Sequence, residues 1–129
     1  MIHEYFLSPY PRKLWIVKDK RFNPNDMFVD RSGGGVINFD NDERDGARAS
    51  VFPVIQKETG NYGFLVLILC RLNVSDVSHE AFHVADGVFD DCGVMLTEGT
   101  GNEHMAYLIG YIAGCIWDVN NNKFKDSNE

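Results

Sequence analysis

"HEAFHVADGVFDDCGVMLTEGTGNEHMAY", residues 79–107, carries the densest chemistry in the chain. His79 and His83 stand four apart, and Glu80 follows the first of them. On a helix, positions four apart lie one above the other, so both imidazoles can face one ion. Glu80 then reaches a water on that ion without ligating it alongside both histidines. Glu103, preceded by Asn102, comes twenty residues after His83. A catalytic zinc takes three protein ligands and keeps a position for water. The H-E-x-x-H pattern supplies two of those ligands and a general base. By chance it should arise in under about one chain in a hundred of this size.

The surrounding pattern predicts the helix that this spacing needs. Ser75 or Asp76 can cap it, and Val77, Ala81, Val84 and Val88 mark one apolar face. Gly93 reads as its end. The loop "VMLTEGTG" leads to a second helix from near Asn102. Met105, Leu108, Ile109, Ile112 and Ile116 make that helix apolar almost all round, which predicts burial. Ala106, Gly110 and Gly114, at spacing four, read as a stripe for close helix packing. Glu103 falls on roughly the same side as that stripe.

Upstream, "RASVFPVIQKE" and "YGFLVLILCRL" flank "TGNYG" and predict a hairpin. The second arm is continuously apolar over residues 63–70, as in a central strand buried on both faces. Pro53 marks the first arm as an edge or bulged strand. "PRKLWIVKD", residues 11–19, reads as the first strand, with Leu14, Ile16 and Trp15 as core candidates. Residues 19–47 are rich in turn formers. The runs "MFV" and "GVINF" are candidate strands in what is otherwise a long loop or an ordered surface excursion.

The 129 residues suit one domain, expected over residues 1–119, with a polar tail over 120–129. The formal net charge of −7 argues against broad nucleic-acid binding, which needs a basic surface. The N-terminus has no signal-peptide pattern, and the apolar run 105–117 is too short for a membrane span. Cys70, Cys92 and Cys115 are odd in number and lie in apolar segments, which suggests reduced thiols and a cytoplasmic setting. None has C-x-x-C spacing.

His79-Glu80-x-x-His83 followed by Asn102-Glu103 resembles the gluzincin metallopeptidases, of which thermolysin is the type member. The resemblance spans about 30 residues. It implies that His79, His83 and Glu103 bind Zn2+ and that Glu80 is the general base of peptide hydrolysis. It implies a peptide or protein substrate and an α+β, minimal zincin-like fold. That fold is a small, mostly antiparallel sheet packed on an active-site helix and a second buried helix. The family has an aspartate where this chain has Tyr107. Tyr107 could orient a histidine, stabilise a developing oxyanion, or pack. The family's large C-terminal domain has no counterpart in the residues after 119. "NEHMAYLIGYI" is closer to small phage or prophage-type zincin-like proteins, so a catalytically inactive metal-binding or protein-interaction module is the alternative. Asp86, Asp90 and Glu98 are weaker third-ligand candidates than Glu103. His104 could donate to an oxyanion or simply face solvent.

Overall fold

The computed structural model describes residues 1–39 and 47–123. The turn-rich run 40–46 and the end of the polar tail, 124–129, lie outside the described residues. The strands are β1 (Ile2–Phe6), β2 (Lys13–Lys18), β3 (Phe28–Asp30), β4 (Ala49–Gln56) and β5 (Tyr62–Ile68). Two helices follow, α1 (Val74–Cys92) and α2 (Glu103–Asn120). The sheet order is β1-β2-β5-β4-β3. Only β2 and β5 pair parallel, so the sheet is mixed and mostly antiparallel. This is the small α+β fold expected.

β5 is central and buried on both faces, which is why it reads as one apolar run. Phe64, Val66 and Ile68 meet the helices, with Leu14 and Ile16 of β2 beside them. Leu65 and Leu67 face the other way into a second core with Trp15, Val17, Phe28 and Ile37. The turn-rich segment after β2 covers that second core. Its Asn25 clamps residue 37 by donating to the Ile37 carbonyl (3.0 Å) and accepting from the Ile37 N–H (2.7 Å). Over residues 19–39 it is therefore an ordered excursion. The "MFV" run supplies β3, whereas residues 33–39 form no strand.

β1 carries no strong sequence signal, being half-buried with charged and apolar residues mixed. It is held as an edge by pairing with β2 and by Glu4, which accepts from the Trp15 indole N–H at 2.7 Å.

The cap of α1 is Asn73, not Ser75 or Asp76. Asn73 and Asp76 form a reciprocal capping box, each side chain accepting from the other's backbone N–H. The helix ends at Gly93 in the left-handed region (φ 66°), as the sequence predicts. Three arginine–aspartate ion pairs, at two aspartates, fix α1 to the sheet. Arg48 meets Asp76 at 2.7 Å near its start. Arg12 at 3.0 Å and Arg31 both meet Asp91 near its end. Between them Gly87 rests on the Phe64 ring, and a Cβ there would stand 2.6 Å from a ring carbon.

α2 buries Met105, Leu108, Ile112, Cys115, Ile116 and Val119. It runs to Asn120, which is buried and belongs to the helix rather than to a frayed tail. Its side chain accepts from the Leu72 N–H (2.7 Å) and donates to the Leu72 carbonyl (3.0 Å), tying the end of α2 to the turn before α1. No helix among the described residues is long and apolar enough to cross a membrane.

The small-residue stripe does not pack inside the chain. Ala106, Gly110 and Gly114 are exposed. Burying large side chains wins: each contributes roughly 1.5–3 kcal/mol on transfer from water, and glycine offers no side chain to bury. The large apolar set therefore takes the inner face and turns the stripe outward.

Candidate functional site

β4 lies between β5 and β3, but β3 reaches only its C-terminal part, pairing Val54 to Gln56. Among the described residues, no strand borders β4 over residues 49–53 on that side. Backbone groups alternate in direction along an antiparallel strand. The Arg48 carbonyl accepts from Leu69 on the β5 side, and the Pro53 carbonyl accepts from Arg31 on the β3 side. Ala49 and Val51 share the parity of Pro53, so their N–H and C=O groups point off the sheet. Pro53 sits where its missing N–H would have faced that open side. Among the described residues, β4 is thus an edge over residues 49–53, and Pro53 marks the boundary.

The open edge faces α1. A groove of about 640 Å³ is lined by residues 49–53 and Phe64 on the sheet, by Asn38 and Ala47 beside it, and by His79, Glu80 and His83 on the helix. The two imidazoles approach edge to face, with centroids 4.5 Å apart. Their Nε2 atoms are 3.0 Å apart. Two nitrogens each about 2.0–2.1 Å from a tetrahedral zinc lie roughly 3.3–3.4 Å apart. At 3.0 Å the two rings are in hydrogen-bond contact, one donating to the other, so taking an ion between them requires the rings to turn and part by on the order of 0.3–0.4 Å. His79 is largely exposed, at 67% of its side chain, so its ring is open to solvent and solutes.

Glu80 is different. Only 13% of its side chain is exposed, and its Oε1 lies 3.8 Å from His79 Nε2. Burial raises its carboxyl pKa above the ordinary range, while His79 and His83 pull it the other way. A carboxylate held nearer neutrality both accepts and returns a proton more readily at physiological pH.

The structure thus brings together His79, Glu80 and His83, and leaves the other expected residues elsewhere. Glu103 opens α2 and is exposed. It lies about 160° round the helix from Met105, which faces the core. Among the described residues, no group of three or more His, Cys, Asp or Glu is gathered closely enough to hold a metal ion. Tyr107 is 76% exposed on the outer face of α2, away from the groove. His104 stacks on Phe89 at 5.1 Å, and its Nε2 lies 3.4 Å from the Met95 carbonyl oxygen. Asp86 and Asp90 line a separate hollow of about 340 Å³ on the other side of His83. Glu98 is exposed in the α1–α2 loop.

Sequence reasoning missed two contributors. Phe64 was read only as core, yet it also floors the groove. The open backbone of Ala49 and Val51 had one usable signal, Pro53, which identified an edge but not which part of the strand was open.

No protein-family model matches the chain, and no curated protein or solved structure is detectably similar to it.

Proposed function

We propose that the chain is a zinc-dependent peptidase of the zincin type. The observation that carries this reading is the groove in which an open strand edge faces an H-E-x-x-H helix whose two Nε2 atoms are 3.0 Å apart. His79 and His83 would hold the metal. Glu103 is the third ligand that the family resemblance assigns, and it stands apart from the pair in this structure. When bound, zinc lowers the pKa of a coordinated water to about 7 and polarises a carbonyl.

The chain's own residues supply the rest. The outward backbone groups of Ala49 and Val51 align an extended peptide by strand addition. Phe64 and Val51 give the groove an apolar wall. Glu80 takes a proton from the attacking water as its oxygen bonds to the scissile carbonyl carbon. It then passes that proton to the amide nitrogen, which leaves as an amine when the C–N bond breaks.

The test is incubation of the zinc-loaded protein with a diverse peptide library, with products read by mass spectrometry beside a chelated control. Cleavage that requires zinc is expected. A protein shown to hold zinc that leaves every peptide intact contradicts the hydrolase reading.

A second reading is favoured by the outward positions of Glu103 and Tyr107: a zincin-like module that binds metal or a protein partner without turnover. It predicts that chelation lowers the melting temperature, because a ligand bound only by the folded state stabilises it, with no peptide cleaved.

A further inference from the structure

The outer face of α2 carries no charged side chain between Glu103 and Asp118. Along it run Tyr107 (76% exposed), Tyr111 (49%) and Trp117 (40%), with the exposed Gly110 and Gly114 between them. A methyl group placed on either glycine would meet nothing within 4 Å. An apolar hollow of about 260 Å³, lined by Val74 and Ser78 of α1 and by Ala113, Gly114 and Trp117 of α2, extends the face onto the first helix. A helix apolar on all sides is ordinarily covered on all sides.

We infer that this face is the contact between two copies of the chain, packed α2 against α2 about a two-fold axis near Gly110. Two features select a second copy as the occupant. The face is self-complementary: bare backbone at Gly110 and Gly114 lies one turn from the ridge of Tyr107 and Tyr111. A two-fold axis sets the ridge of each copy on the bare backbone of the other. The area also matches. The open parts of Tyr107, Tyr111, Trp117 and Val74 come to about 500 Å² per copy. With all of it covered, two copies together would bury at most about 1,000 Å², the lower bound for a specific interface.

The pairing is therefore weak and reversible. It also has a defined salt response. Each chain carries −7, and Glu103 and Asp118 flank the contact, so screening strengthens the pair as salt rises. The contact leaves the groove free, because Val74 lies about 140° round α1 from His79.

Sedimentation velocity over a concentration series, at low and high salt, tests this. The expected result is a reversible shift from monomer to dimer that tightens with salt. Gly110→Glu should weaken association at least about tenfold while keeping or raising the melting temperature, because glutamate favours an exposed helix over glycine. A wild-type chain that stays monomeric across the series at high salt overturns the inference. So does a Gly110→Glu variant that dimerises as the wild type does. Association that weakens with salt would also contradict it, since that is the signature of oppositely charged surfaces.

Discussion

Glu80→Gln should lower zinc-dependent peptide hydrolysis by about 10²–10⁴-fold, the usual contribution of a positioned general base, and leave metal content unchanged. Glutamine keeps the size and polarity of the side chain but cannot accept the proton from the attacking water. Zinc retention follows from the proposed site, in which His79 and His83 would hold the ion and Glu80 would not. The same variant gives an independent reading without metal. Burial places the folded pKa of Glu80 above its unfolded value, about 4.3 for a glutamate. Its ionised form is therefore less favourable in the folded chain than in the unfolded one. Stability falls as pH rises from the unfolded value through the raised folded one. Metal-free Glu80→Gln should thus melt above metal-free wild type at pH 7, with the gap closing as the pH falls below about 4. Unchanged hydrolysis in the zinc-loaded variant would remove Glu80 from the mechanism.

Gly63→Ala should cost about 3 kcal/mol or more, at the upper end for inserting an atom into a packed core. Gly63 opens the buried part of β5 opposite Lys13 in the parallel pair. A Cβ there would stand 2.1 Å from the Lys13 carbonyl oxygen and 2.7 Å from the Trp15 ring. The oxygen is backbone and cannot swing aside, so β2 and β5 must separate. That disturbs both cores at once. Domains are stable by only about 5–15 kcal/mol, so the loss is a large share of the total. Urea unfolding of the two proteins measures it directly. An alanine variant within about 0.5 kcal/mol of wild type, the range of a surface substitution, would mean the β2–β5 pairing is wrong. Gly110→Ala is the contrasting case. In the single chain the added methyl meets open space, and at concentrations too low for self-association the better helix former should stabilise the monomer by up to about 1 kcal/mol.

The sequence makes some of this architecture legible and hides the rest for physical reasons. The β4–β5 hairpin is local and its turn residues are explicit, so it could be read directly. The helix bearing His79 and His83 was equally clear from its periodicity and from Gly93. Its cap was missed although Asn73 and Asp76 have capping-box spacing. The parallel β2–β5 pairing joins segments about fifty residues apart in the chain, and no local pattern encodes it. β1 is hidden because an edge strand with mixed residues has no clean alternation.

For the site, helical spacing is enough to set His79 beside His83, because both lie on one rigid element. Glu103 and Tyr107 lie on another. Their direction depends on how α2 rolls, and the pull of Met105, Leu108, Ile112 and Ile116 toward the core decides that. A stripe of small residues suggested the opposite roll, but it had no burial energy to enforce it.

The central claim is that His79 and His83 form a metal site. The most direct measurement is elemental analysis of the purified, untagged protein after zinc incubation and exhaustive dialysis, beside His83→Ala and Glu103→Ala. The account predicts about one zinc per chain, lost in His83→Ala; a loss in Glu103→Ala as well would identify the third ligand that the resemblance assigns and that stands apart from the pair in this structure. A wild-type chain that retains no zinc, or a His83→Ala chain that retains as much as wild type, would contradict it.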